Sequence, residues 1–266
     1  MTGKRAIVTG CSTGIGRATC NELTSRGYEV VATARRLESI ADLKVTRTLE
    51  LDVDSDESVA AVHKEVGTVD ALVNNAGFGV EGSVEEVPLD DVRRMFETNF
   101  FGAARMIQAF VPAMREQGKG SVVNVSSVAG IVAGPLAGYY SASKFALEAL
   151  SESLHLEVGH FGVDVLIIEP GSIDTRFGAN VVDHRGQGPY RELAELWEAA
   201  SGVLGGGQPA PGPELVALAI CDALGAASHP LRVPVGPDAE LVAATRHTVS
   251  YESFEATMRQ ALKIDW

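Results

Sequence analysis

The chain has 266 residues, 45% of them hydrophobic and 21% charged, with a formal net charge of −13. That acidity argues against nucleic acid and anionic membrane surfaces as partners, because both are held mainly by clustered Lys and Arg. Three cysteines without a C-x-x-C pair and six histidines without an H-x-x-x-H spacing argue against a disulfide framework and give no metal site.

The length predicts one domain, residues 1–266, and no window approaches ~18 uninterrupted apolar residues, so a cytoplasmic protein with neither membrane span nor signal peptide is expected. Short β-branched runs alternate with helical stretches, the pattern of a parallel sheet with helices on both faces. Strands are predicted at 5–9, 29–33, 46–51, 70–75, 121–126, 164–169 and 231–235. A helix opens at the first glycine cluster and closes on Arg26 and Gly27, a basic last turn followed by the residue best able to turn left-handed. A second helical stretch runs from Pro88, Asp90 and Asp91 to about Gly120, its apolar positions Val92, Met95, Phe96, Phe100 and Ala103 placing Asn99 on the buried stripe. A third begins near Tyr139 and runs to Val158. The segment at about 176–212 carries Gly- and Pro-rich "GVLGGGQPAPGP" and the short helical stretch "YRELAELWEAA", and it is expected to be a mobile substrate cover. A C-terminal extension, with a last helix, is expected at about 237–266.

"VTGCSTGIGRA" puts Gly10, Gly14 and Gly16 after the first strand and at the mouth of the first helix. Glycine there lets the backbone turn tightly and approach a pyrophosphate over the positive helix end. A strand-to-helix turn with no ligand has the same local pattern. At the end of the second strand, where an NAD site wants a carboxylate, stand Ala34, Arg35 and Arg36, and a guanidinium suits a 2′-phosphate. NADP(H) is therefore expected, with NAD(H) as the alternative and Arg36 the residue better read as a solvated charge. Cys11 in the glycine loop reads as a small side chain filling the turn rather than as a redox control.

Residues 139–144 read "YYSASK", a stretch with no acid to pair its lysine. Tyr140 and Lys144 are one helical turn apart on one face, whereas Tyr139 is rotated away. Lowering a tyrosine pKa by ~3 units takes about 4 kcal/mol, more than an exposed ion pair supplies, so the pair acts only in a partly desolvated cleft beside a second positive charge. Ser127, at the end of the fifth predicted strand, sits where ligands of parallel sheets bind and offers a hydroxyl to a carbonyl oxygen; Ser126 is the alternative.

Together these motifs resemble the short-chain dehydrogenase/reductase family in its single-domain form: T-G-x-x-x-G-x-G at Thr9 to Gly16, N-N-A-G at Asn74 to Gly77, Asn99 in "TNFFG", Ser127, Tyr140 with Lys144, and Pro170-Gly171 followed by Thr175. The resemblance implies an α/β, doubly wound (Rossmann) sheet of seven parallel strands in a three-layer sandwich. It also implies hydride transfer between a nicotinamide dinucleotide and a carbonyl or secondary alcohol. By similarity, Tyr140 is the general acid or base, Lys144 bonds the nicotinamide ribose and lowers the tyrosine pKa, Ser127 orients the substrate oxygen and Asn99 holds a water in a proton relay. The cofactor-binding set implied is Gly10, Ser12, Gly14, Ile15, Gly16, Arg35 at the 2′-phosphate, Asp52 at the adenine, Val53, Asn75 near the adenosine ribose, Tyr140, Lys144, and Ile173 and Thr175 at the nicotinamide. A basic residue that some NADP-dependent members carry before the second motif glycine is Thr13 here, which leaves selectivity to Ser12, Arg35 and Arg36. The tail after Pro213 is closest to the carbonyl, retinol or steroid-type reductases, and a homodimer or homotetramer is implied. The apolar residues Phe177, Val181, Val182, Tyr190, Trp197 and Leu204 hint at a hydrophobic substrate, while His184 and Arg185 suit either substrate contact or a solvated loop. The competing reading is a non-catalytic NADP(H)-binding redox sensor.

Overall fold

Each central strand buries both faces, and its side chains alternate between two apolar layers. Ala6 and Val8 of strand β1 (Arg5–Val8) enter one cluster, and Ile7 enters the other. The same alternation holds in β2 (Glu29–Ala34), β4 (Ala71–Asn74), β6 (Gly120–Val125) and β7 (Val163–Pro170). With β3 (Arg47–Glu50) and β9 (Arg232–Val235) they form a seven-stranded parallel sheet ordered β3-β2-β1-β4-β6-β7-β9. The structure is a computed structural model that describes residues 3–186, 188–204, 209–246 and 248–264, without the side chains of 201–204.

Helices α1 (Gly14–Ser25) and α7 (Pro213–Gly225) cover the first face through Cys20, Leu23, Val216 and Ile220. Helices α2 (Asp56–Val66), α4 (Ala103–Gln117) and α5 (Gly138–Val158) cover the second through Val59, Val62, Met106, Phe110 and Leu154. This is the doubly wound α/β sandwich expected, with every predicted strand within two residues of its place. Pro234 is tolerated in β9 because that strand lies at the sheet edge.

The predicted single stretch from residue 88 is built in three parts: α3 (Leu89–Phe96), a π-helical turn (Glu97–Gly102) and α4. The wider turn accompanies two close approaches that a regular helix would disturb. Asn99 turns into the interior, and Gly102 lies so near Val53 that a Cβ there would stand 2.7 Å from the Val53 Cγ2. In the segment expected to be mobile, the described residues carry their own elements, a two-residue strand β8 (Val182–Asp183) and helix α6 (Arg191–Leu204). Strand β8 pairs in parallel with β5 (Val80–Glu81). Part of its glycine run, 205–208, and the Leu204 side chain lie outside the described residues. The extension after β9 holds two helices, α8 (Pro237–Arg246) and α9 (Tyr251–Leu262), where one was expected; the Ser250 hydroxyl accepts the Ser253 N–H and starts the second. No helix among the described residues is long and apolar enough to cross a membrane.

Candidate active site

The sheet order reverses between β1 and β4, so the loops leaving their C-terminal ends part and open a crevice. Thr9 closes its floor. Its buried Oγ1 accepts the N–H groups of Asn75 and Ala76, both at 3.0 Å, and so ties the loop after β4 to the loop after β1. The Asn75 amide donates to the carbonyls of Thr9 at 2.8 Å and Gly10 at 3.2 Å. Gly10 has φ +70°, and a Cβ would lie 2.8 Å from the Ala76 Cα, so only glycine fits. Gly14 has φ +57° and opens α1, where no side chain caps the first turn and no acid precedes it. The amides of that turn thus keep their donor capacity for an anion.

A cavity of about 750 Å³ runs from this turn along the C-terminal edge of the sheet. It is lined by Gly10, Ser12, Gly14, Ile15, Arg35, Arg36, Asp52, Val53 and Asn75 together with Ser127, Tyr140, Lys144, Ile173 and Thr175. The structure thus brings together all the expected cofactor and catalytic residues except two. Gly16 packs behind the wall, where a Cβ would meet the Asn75 amide and the Gly10 carbonyl. Asn99, 2% exposed, also lies behind it; its Oδ1 accepts the Phe78 N–H at 3.0 Å, and its Nδ2 donates to the Phe78 carbonyl at 3.0 Å and to Ser143 Oγ at 3.1 Å. The uncapped helix end, the close-approach glycines and the length of the crevice fit a dinucleotide. Among the described residues no group of three His, Cys, Asp or Glu side chains is placed to hold a metal ion.

A buried polar ladder seats α5. Asn74 donates to Asn124 at 2.8 Å, Asn124 to Ser151 at 2.8 Å, and Ser151 to the Leu147 carbonyl at 2.6 Å. The helix therefore presents Tyr140 and Lys144 to the crevice on one face. Lys144 is 6% exposed, and its Nζ donates to the Val125 carbonyl at 3.0 Å and lies 5.8 Å from the Tyr140 ring centre. The Tyr140 ring is 5.8 Å from that of Phe177. Burial pushes the Tyr140 hydroxyl up to about 12; a hydrogen bond with Ser127 opposes the shift and the nearby Glu81 adds to it. Burial takes Lys144 down to about 8, and Glu148 opposes that shift. In the protein alone, then, the tyrosine is held neutral rather than acidified, and Glu148, one turn beyond Lys144, supports the ammonium only through its nearby charge, without an ion pair. Ser127 Oγ accepts the Ala129 N–H at 3.1 Å, while Ser126, 4% exposed, packs near Gly130 and Glu148.

Sequence reasoning did not single out Glu81, which lines the cavity beside Phe78, Phe177 and Val182 and pairs with Arg185 at 2.8 Å. His184 bonds Asp91 at 2.9 Å. Neither His184 nor Arg185 lines the cavity; both fasten the 176–212 segment to the body. Trp197 of α6 lies against Gly134, where a Cβ would stand 2.8 Å from its ring. Cys11 is fully buried, with its Sγ 3.3 Å from that of Cys20.

A family model described as short chain dehydrogenase matches residues 4–186. The chain belongs to the short-chain dehydrogenase/reductase family, oxidoreductases that interconvert CH–OH and C=O groups. The 3-ketodihydrosphingosine reductase of Bacteroides thetaiotaomicron is 33% identical over 236 residues, 87% of each chain. A short-chain dehydrogenase from Streptomyces avermitilis has 35% identity and a TM-score of 0.82 over 98% of this chain and 97% of its own. Another, from Burkholderia cenocepacia in complex with NADP, has 27% identity and a TM-score of 0.80 over 96% and 97%. Solved members of this fold have been captured with NADP and with NAD.

Proposed function

We propose that the protein is an NADP(H)-dependent oxidoreductase that converts a hydrophobic ketone or aldehyde to the alcohol, or the reverse, with Tyr140 as general acid or base. One observation carries the reading: the glycine turn with Arg35 and the Ser127, Tyr140 and Lys144 side chains line the same cavity. NADP(H), when bound, supplies or accepts the hydride. Gly10, Ser12, Gly14 and Ile15 would hold its pyrophosphate side, Arg35 its 2′-phosphate, Asp52 and Val53 its adenine, and Ile173 and Thr175 its nicotinamide end. The acidic chain offers no general attraction for such an anion, so the α1 amides and the Arg35 guanidinium must provide it locally.

Ser127 donates to the substrate oxygen and fixes its position. Tyr140 then gives that oxygen its proton as negative charge develops there. A tyrosine held up to about 12 suits this direction, since it enters the reaction protonated. In oxidation it must accept the proton, and the Lys144 ammonium stabilises the phenolate that this requires. Asn99 acts from behind the wall by holding the Phe78 backbone. Phe78, Val128, Phe177 and Val182 give the substrate end an apolar surface. This agrees with a relative named for reducing 3-ketodihydrosphingosine. The exposed Phe101, Phe145 and Leu156 near and on α4 and α5 support a homodimer or homotetramer.

The test is NADPH oxidation with a panel of aliphatic and aromatic ketones, repeated with Tyr140→Phe. A substrate turned over by the wild type should lose roughly 10²-fold or more in kcat, the scale of general acid catalysis, while NADPH binding persists. Equal turnover in the variant would remove Tyr140 from the reaction.

A further inference from the structure

Arg17 stands immediately after the glycine motif, on the first turns of α1, and it does not line the cavity. Its guanidinium nevertheless uses four directed bonds. Nε donates to the Ser12 carbonyl at 3.2 Å. Nη1 and Nη2 make a two-pronged contact with Asp42 at 2.8 and 2.9 Å. Nη2 also donates to the Ser39 carbonyl at 2.8 Å. Ser39 in turn bonds the Arg36 carbonyl twice, from its Oγ at 2.6 Å and from its N–H at 3.1 Å. A continuous chain of hydrogen bonds thus joins the glycine loop at Ser12 to the turn that follows Arg35 and Arg36. These are the two loops that carry Ser12, Arg35 and Arg36, the residues to which a 2′-phosphate falls in the absence of a basic residue at Thr13.

We infer that Arg17 is a positioning residue for cofactor selectivity, clamping the Ser12 and Arg35–Arg36 loops at the spacing a 2′-phosphate requires. The inference rests on the NADP(H) reading above. Arg35 and Arg36 are both exposed, so without a brace their long side chains and the turn beneath them would have to be ordered at each binding event. The fork geometry is what distinguishes this contact from an ordinary surface ion pair. Asp42 is 73% exposed and a single charge contact there would contribute little, but two parallel bonds plus two backbone carbonyls fix one orientation of the guanidinium. Lysine keeps the charge and cannot reproduce the fork. Asp42 also compensates the Arg17 charge, so the clamp adds no net charge at the phosphate site and acts chiefly through geometry.

Dissociation constants for NADPH and NADH, measured by cofactor fluorescence on the wild type, Arg17→Lys, Arg17→Gln and Arg35→Asp, test this. The wild type should prefer NADPH, and Arg35→Asp should abolish that preference. Arg17→Lys should weaken NADPH by about three- to tenfold, the scale set by freeing one or two ordered side chains, with NADH changed less than about twofold. Arg17→Gln should do the same, which gives a second reading if either variant folds poorly. A wild type without preference for NADPH would overturn the cofactor reading itself. A preference kept intact in both Arg17 variants, or equal weakening of NADPH and NADH, would overturn the clamp and leave the cofactor reading standing.

Discussion

Lys144 combines three properties that rarely coexist: near-complete burial, a backbone carbonyl as its hydrogen-bond partner, and, among the described residues, no carboxylate within ion-pair distance. Its charge is therefore poorly supported, and burial brings its titration down to about 8 in the protein alone. If the ammonium is needed to seat the cofactor ribose and support Tyr140, kcat/KM, which reports groups of the free enzyme, should fall as pH rises through about 8. In Lys144→Arg, whose side chain keeps its proton, whatever activity survives should lack that fall. A wild-type profile flat to about pH 10 would contradict this account. The residue-scale signals that the sequence carried were those with a fixed spacing: Tyr140 to Lys144, Gly10 to Gly16, Ser127 at a strand end. Glu81 and Arg17 were not legible as site residues because each is placed by a partner distant in the chain, Glu81 by Arg185 and Arg17 by Asp42.

At the scale of elements, β7, β9 and α5 meet at a charged knot beneath the active site. Arg232 of β9 faces Glu169 of β7 at 3.2 Å and Glu148 and Glu152 of α5 at 3.1 and 2.6 Å. One guanidinium among three carboxylates leaves the most buried one short of compensation, and Glu169, 1% exposed, is pushed up to about 7 by burial first and by Glu148 second. The fold thus holds this proton more tightly than the unfolded chain does. The associated stability is complete below about pH 4.5, the ordinary glutamate value, and is lost as pH rises through about 7. The loss is on the order of 3 kcal/mol at most. Glu169→Gln should therefore melt a few degrees higher than the wild type at pH 8, with the gap closing toward pH 5; equal melting temperatures at both would show that Glu169 is ionised in the fold. Strand β7 was legible from its long apolar run, and β9 from a short valine-rich one. The π-helical turn around Asn99 and the β5–β8 pair were not: the first goes with a close approach of Gly102 to Val53, distant in the chain, and two-residue strands are too short to display any period.

Taken as a whole, the sheet order decides what meets at the crevice. The glycine turn leaves β1, the loop of Asn75 leaves β4, Ser127 follows β6, and Ile173 and Thr175 follow β7, so the residues proposed to bind the cofactor and orient the substrate arrive from both sides of the reversal. Their order along the chain made the fold readable before any geometry was known; in the 176–212 segment the helix was legible as "YRELAELWEAA", whereas the strand was not, since it takes its place by pairing with β5. In the proposed reaction, hydride and proton reach one substrate carbon and its oxygen within this single cavity. Its most direct measurement follows deuterium from NADPH fully deuterated at the nicotinamide C4 into the product of a ketone that the enzyme turns over. The account predicts one deuterium on the carbinol carbon of the alcohol, formed by the wild type and almost not at all by Tyr140→Phe. Alcohol without deuterium, or label transferred equally well by the variant, would contradict it.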